Sequence, residues 1–399
     1  LKEIYENGTP EEKKLLKLAS NVDGMARHTG VHACGIIISA MDLDEVSPLY
    51  VDPKAKIGEL NLVVSQYEKH AVEDIGLLKM DFLGLKTLTV LQNAVKNVKI
   101  TRNLEVDLEH LDFEDTKVYQ LLQKGLTLGV FQLESTGMRG LLKKLLPDRF
   151  TDIIALLAMY RPGPLKSGMV DDYVQRKHGL QKVKYPHPSL EPVLKDTYGV
   201  YLYQEQVMLT SRVLAGFTKG QADALRKAMG KKIKEKMVEM GEKFVKGAIE
   251  RGVDAELAQD IFDLMAGFAE YGFNKSHSAA YAVVTYRTAY MKAYYPKEFM
   301  AACLTSESGN TDKLSEYVNE CRALGFEVLP PDINKSLGDF SVEGDTVRYG
   351  LSAIKGIGSE PVDNIVKARR WIELYSNQDN TEEYAKEIDS YWSEKYEDE

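Results

Sequence analysis

The hydrophobic pattern changes period several times along the chain. Over residues 10–27 apolar positions recur at helical spacing, Pro10 opens the segment, and Glu11 and Glu12 sit at its positive end, which predicts a helix. Three short apolar, β-branched or alternating runs at 34–39, 60–65 and 77–82 read as strands of a sheet fragment. From Leu85 to about Pro330 helical spacing dominates, with breaks at Pro147, at Pro162 and Pro164, and at Pro186 and Pro188. Strand-like alternation returns over 338–351 around a turn at Gly344. The pattern predicts an α+β, predominantly helical chain, long enough for two or three domains.

Residues 271–281, Tyr-Gly-Phe-Asn-Lys-Ser-His-Ser-Ala-Ala-Tyr, interrupt two strongly helical stretches at 255–270 and 279–294. A Gly, an Asn and two Ser at this spacing make a poor helix interior, because each competes for backbone hydrogen bonds or adds chain entropy. The run gathers Lys275, His277, Ser276, Ser278, Tyr271 and Phe273. These groups suit a phosphate and a stacked base. They also suit a helix cap, with Asn274 or Ser276 at the N-cap and the aromatics in the core. Gly356-Ile357-Gly358 between two short helical segments, the second at 362–369, reads as a helix-hairpin-helix whose glycines allow close backbone approach to a phosphate.

Charge sharpens the picture locally. The whole chain is acidic, with 51 Lys and Arg against 60 Asp and Glu, a net charge of −9. Residues 212–246 instead carry ten Lys/Arg and four Asp/Glu, and Arg226, Lys227, Lys231 and Lys232 crowd one turn and a half of helix. Such a block points to a polyanion, or is a solvated helix face. Residues 371–399 carry ten acidic groups and two Lys, and would repel a nucleic-acid backbone. Cys34, Cys303 and Cys321 are far apart and show no zinc spacing, which fits reduced thiols. There is no Walker-type phosphate loop, membrane-length apolar run or signal-peptide pattern.

Five further motifs run in one order with the basic run at 222–232 and the run at 271–281: His-Thr-Gly-Val-His-Ala (28–33), Leu-Leu-Lys-Met-Asp-Phe-Leu-Gly-Leu (77–85), Gly-Val-Phe-Gln-Leu-Glu-Ser (129–135), Tyr-Arg-Pro-Gly-Pro-Leu (160–165) and Tyr-Gln-Glu-Gln-Val-Met (203–208). Together they resemble the catalytic alpha subunits of bacterial DNA polymerase III, the C-family replicative polymerases, over roughly residues 1–370. The resemblance implies the end of a thumb at 1–27, a partial palm at 28–85, fingers at 86–335, the start of a clamp-binding domain at 336–370, and an unassigned acidic tail at 371–399. It also implies that the chain is an internal piece of a longer, cytoplasmic protein. Expected partners are primer-template DNA, deoxynucleoside triphosphates, and the sliding clamp with other replicase subunits through regions mostly absent here.

Asp81 matches the third of three Asp that hold two Mg²⁺ ions in this family. On the residues alone, its partner is either a metal or a structural Lys or Arg. The other two Asp belong to an Asp-x-Asp motif expected upstream. Asp42-Leu43-Asp44 has that spacing but falls in a polar loop, so this polypeptide by itself is expected to be inactive. Arg226 and Lys227 match positions facing the triphosphate. Tyr271, Lys275 and His277 match the nucleotide pocket, and Lys231, Lys232, Gly356 and Gly358 are expected to contact DNA. Arg161 is either a phosphate contact or half of a loop-pinning ion pair. Gln132 and Glu134 are read as caps of the following helix. His28, Thr29 and His32 either approach primer DNA or are structural. The alternative to a polymerase piece is a non-catalytic nucleic-acid-binding module of helix-hairpin-helix type.

Overall fold

The computed structural model describes residues 2–25, 30–32, 34–57, 60–230, 234–269 and 272–376. The chain divides into two compact units at Leu85/Lys86. In the first unit the helix Pro10–Val22 forms as its sequence dictates. Glu12 N–H donates to the Thr9 hydroxyl at 3.3 Å, and Thr9 N–H donates to the Glu12 carboxylate at 2.7 Å, a reciprocal cap.

Four strands follow: β1 (Gly35–Ile38), β2 (Leu49–Ile57), β3 (Leu60–Ser65) and β4 (Leu78–Asp81). They form two separate antiparallel ladders rather than one sheet fragment: β1 with β4, Gly35 opposite Asp81, and β2 with β3. Sequence reasoning missed β2 because Pro53 lies inside it. The ladder accommodates Pro53 through a register shift between Asp52 and Lys56. Val72 is the one buried apolar side chain among the described residues of this unit, so backbone pairing rather than a shared core holds these strands.

The second unit is built on three apolar cores. The helix Lys275–Tyr294 joins two of them: Ala282, Tyr286 and Ala289 pack in one with the helices Thr116–Lys124, Thr136–Leu145 and Phe150–Met159, and Met291 packs in the next. That second core takes in Lys86–Arg102, Pro296–Ser306 and Thr311–Ala323. The third is made by Gln204–Ala215, Lys219–Gly230, Lys234–Ile249 and Ala255–Ala269. Pro147 falls between helices as expected. Pro162 does not simply break the chain but opens a one-turn helix, Pro162–Lys166, since its missing N–H costs nothing at a first helical position.

The alternation around Gly344 is a hairpin of β6 (Ser341–Glu343) and β7 (Thr346–Arg348), with Gly344 at φ 57°. β5 (Val328–Leu329) adds to β7 in parallel, a long-range pairing no local pattern announces. Beyond it Leu351–Ala353 forms a single 3₁₀ turn, and Ser359–Ser376 is a helix well beyond the predicted 362–369. The acidic residues past 376 lie outside the described residues.

One buried carboxylate makes the second core sensitive to acid. The Glu298 side chain is 2% exposed and receives Arg102 Nε at 2.6 Å, Arg102 Nη2 at 3.1 Å and the Thr101 hydroxyl at 3.0 Å. Burial pushes its pKa up, but the hydrogen bonds from Arg102 and Thr101 outweigh burial and hold it below the ordinary value of 4.5. A depressed carboxylate adds stability that is complete above that ordinary value and is lost as pH falls through the folded pKa. Urea midpoints are therefore expected to fall below about pH 4.5. Arg102→Met leaves the carboxylate buried without its cation, and should lower the midpoint at pH 7 and reverse the sign of this group's contribution in acid.

Candidate nucleic-acid interface

In the first unit, Asp81 ends β4 with its side chain half exposed. Lys79, two residues back and so on the same strand face, hydrogen-bonds Asp81 Oδ1. His32 Nδ1 lies 3.7 Å from the same oxygen and 3.7 Å from Cys34 Sγ. The Lys79 hydrogen bond holds the Asp81 carboxyl below its usual range, so it is ionised at neutral pH. The structural cation that the sequence left open is thus present. Gly35, opposite Asp81, leaves room for this group: a Cβ there would lie 2.9 Å from His32 Nδ1 and from Lys79 Cε, so those side-chain ends would have to shift. Among the described residues no three His, Cys, Asp or Glu converge as a metal-holding group. Asp44 lies in a short helix, Leu43–Val46, rather than a loop, and forms no strand pair with Asp42. His28 and Thr29 lie outside the described residues.

In the second unit, two helices start side by side. Gln204 N–H donates to Phe273 O at 2.9 Å and Phe273 N–H donates to Leu202 O at 3.2 Å, bridging Tyr203 to Phe273. Asn274 is the N-cap of Lys275–Tyr294, its Oδ1 accepting from His277 N–H at 2.9 Å. Glu205 accepts from Lys275 N–H at 3.0 and 3.1 Å, so a carboxylate sits at the positive helix end. Capping and exposed chemistry coexist here, since the cap uses Asn274 and leaves Lys275 and His277 at the surface.

Arg161 is the long-range member of this group. Its guanidinium lies 3.4 Å from the centroid of Phe273, and no carboxylate pairs with it among the described residues. The loop-pinning ion pair is therefore not formed. Burial lowers the pKa of this guanidinium from its ordinary value. Phe273 meets His277 edge-on at 5.4 Å, His277 lies 4.2 Å from Tyr281, and Tyr281 lies 5.3 Å from Phe131. Lys275 Nζ stands 5.3 Å from the Tyr203 ring. Ser278 is buried, its hydroxyl without a partner. Tyr271 lies outside the described residues.

The basic block is arranged differently. The helix Lys219–Gly230 buries Ala222, Leu225, Ala228 and Met229, and turns Arg226 and Lys227 outward. Both pair with Asp223, at 2.8 and 2.9 Å, and the hydrogen bonds from Lys227 and then Arg226 lower the Asp223 pKa. The helix packs on Gln204–Ala215, whose start adjoins Phe273. Lys231 and Lys232 lie outside the described residues. Gly356, at φ 90°, and Gly358 are exposed just ahead of Ser359–Ser376, with Glu360 in that helix's first turn.

One expectation is corrected: Ser135, not Gln132 or Glu134, caps Thr136–Leu145, its hydroxyl accepting from Met138 N–H at 3.3 Å. Glu134 instead accepts from Gly129 N–H at 3.0 Å, and Gln132 takes a left-handed turn at φ 60°. Sequence reasoning also missed Lys79, Asp223, Glu205, Phe131 and Tyr281. Helical spacing signals Asp223 to Arg226 and Lys227, and Phe273 to His277 to Tyr281. Nothing local signals Phe131 or Glu205.

An α+β chain with these cations and rings on helix starts has the features of a nucleic-acid-handling protein, and the comparisons define which one it resembles. Residues 87–252 match the bacterial DNA polymerase III alpha subunit finger domain, residues 1–84 match the bacterial DNA polymerase III alpha NTPase domain, and residues 325–389 match a helix-hairpin-helix motif. DNA polymerase III subunit alpha of Aquifex aeolicus is 52% identical over 363 residues, 91% of this chain and 31% of that protein. The Escherichia coli K12 subunit is 48% identical over 379 residues, 92% of this chain and 32% of that protein. The chain thus spans about a third of the length of these relatives. It belongs to the bacterial DNA polymerase III alpha subunit family.

Proposed function

We propose that this chain supplies part of the nucleotide- and DNA-binding apparatus of a cytoplasmic replicative DNA-directed DNA polymerase. In that reaction the primer 3′-oxygen attacks the α-phosphorus of a deoxynucleoside triphosphate and pyrophosphate leaves. The observation that carries the reading is the convergence of Arg161 and His277 on Phe273, with Lys275 over the Tyr203 ring bridged to it, beside the helix that leads to Arg226 and Lys227. Cations beside exposed rings hold phosphates and bases together, and positioning supplies most of the catalysis in phosphoryl chemistry. The family relationship favours this over a non-catalytic helix-hairpin-helix module. On this reading residues 1–27 end a thumb, 28–85 are part of a palm, 86–335 are fingers, and 336–370 begin a clamp-binding domain. Tyr271 is assigned to the nucleotide pocket by resemblance, Lys231 and Lys232 to DNA contact by the local basic block and Gly356 and Gly358 by the hairpin pattern, and clamp and loader contacts belong to the whole replicase.

Asp81 fits one metal position: it is ionised and half exposed, and only its Oδ1 is engaged by Lys79. Mg²⁺ held there with further carboxylates would stabilise charge on the attacking and leaving oxygens. This chain's own contribution is to keep that carboxylate ionised and aimed from the end of β4 by the Lys79 contact.

The test is nucleotide binding on a primed template. A matched deoxynucleotide is expected to tighten the complex, and Arg226→Ala to weaken that nucleotide effect about tenfold, the usual size for a charge-assisted contact. Exposed pairs such as those of Asp223 are worth little, so a phosphate can replace it. Asp223→Asn should then tighten nucleotide binding a few-fold. Unchanged nucleotide affinity in Arg226→Ala would remove this helix from the site.

A further inference from the structure

A line of rings joins two motifs that lie far apart in the chain, 271–281 and 129–135. His277 and Tyr281 are spaced by four on one face of the helix Lys275–Tyr294, Phe273 stands just before its N-cap against His277, and Phe131 from a distant loop continues the row. The Phe131 backbone is pinned: its N–H donates to the Thr288 hydroxyl at 3.1 Å and its carbonyl accepts from the Thr285 hydroxyl at 3.1 Å. The chain then turns away through the left-handed Gln132. A phenylalanine held this firmly is still only half-buried, as is Tyr281, and His277 is exposed. Burial alone would not be served by leaving three rings at the surface in a row. Cations flank the row on the Phe273 side, Arg161 without a carboxylate among the described residues and Lys275 over Tyr203.

We propose that His277, Tyr281 and Phe131 form a stacking track for unpaired bases of single-stranded DNA, with Arg161 and Lys275 holding the phosphates that lead into it. Every base offers a π-face, so such a track binds without reading sequence, and alternating rings and cations are the chemistry of single-strand grooves. A protein partner is the rival occupant of an aromatic strip. Cations at one end, with no acidic partner on Arg161 among the described residues, favour a polyanion. This deepens the functional reading above and rests on it.

The test separates bases from phosphates. Binding of a fluorescent oligothymidylate and of an abasic oligodeoxynucleotide of equal length is measured by anisotropy with the 399-residue chain at fixed salt. Wild type is expected to prefer the oligothymidylate by about tenfold or more, the usual yield of one base on one ring. Phe131→Leu, which keeps an apolar side chain of similar size, should erase most of that preference and leave abasic binding unchanged, whereas Phe131→Trp should keep it. Circular dichroism verifies that each variant folds. Equal binding of the two oligonucleotides by wild type, or an undiminished preference in Phe131→Leu, overturns the track while leaving the nucleotide site standing. Loss of deoxynucleotide binding from wild type itself would instead overturn the functional reading.

Discussion

Glu320→Ala is expected to destabilise the second unit by about 3–5 kcal/mol, the usual consequence of stripping one partner from a buried charge group. The Glu320 side chain is 5% exposed and Lys292 is fully buried beside it. Lys292 Nζ donates to Glu320 Oε1 at 2.6 Å and to the Leu128 carbonyl at 2.6 Å, and Arg139 Nη2 donates to Glu320 Oε2 at 2.9 Å. Leu128 N–H also reaches Glu320 Oε1, at 3.3 Å. Removing the carboxylate strands an ammonium in an apolar core, with only a carbonyl for company. Urea unfolding followed by far-ultraviolet circular dichroism measures the loss. The double variant Glu320→Leu with Lys292→Met should recover part of it, because no unpaired ammonium is left in the core, although the Leu128 N–H and carbonyl lose their side-chain partners. A Glu320→Ala midpoint equal to wild type would mean that the pair is hydrated rather than buried. Both polar groups of the Leu128 backbone bond to this pair, so single-strand binding should fall together with stability in Glu320→Ala.

Mg²⁺-dependent primer extension by the 399-residue polypeptide alone is expected to be undetectable. Asp81 stands among the described residues with Lys79 and His32, not with further carboxylates. Two divalent ions in catalytic geometry need several oxygen ligands, and one carboxylate cannot fix both. The rate enhancement at stake is on the order of 10⁶-fold or more, so a gel-based extension assay with a matched nucleotide discriminates without ambiguity. Incorporation that Asp81→Ala abolishes would overturn the expectation. Binding and chemistry are separable on the proposed reading: nucleotide and single-strand binding would draw on the second unit's own residues and are expected to survive in a chain that extends nothing.

Much of the fold was legible in the sequence because its signals are local. Pro10 with Glu11 and Glu12 announced the helix Pro10–Val22, and the Gly344 turn announced the β6–β7 hairpin. Asn274 was readable as an N-cap because capping depends on a few neighbouring residues. The strand β2 was not readable: Pro53 argues against a strand, and only the pairing with β3 and the shift near it make one. The cap of Thr136–Leu145 was misplaced, since Gln132 takes a left-handed turn and Glu134 is drawn to the Gly129 N–H and to the distant Tyr317 hydroxyl, a contact that a window of sequence does not contain.

What the sequence determined by itself was the family, the helical character and the inventory of charged and aromatic groups, all of which follow from residue order and short-range periodicity. Tertiary structure decided how those groups are used. It set Arg161 on Phe273 across more than a hundred residues of chain, placed Phe131 at the end of the ring row, and put the Glu205 carboxylate on the first N–H of Lys275–Tyr294. It also gave Asp81 to Lys79. Contacts of this kind depend on which helix faces meet when the apolar cores close, and that choice is a property of the packed whole rather than of any one segment.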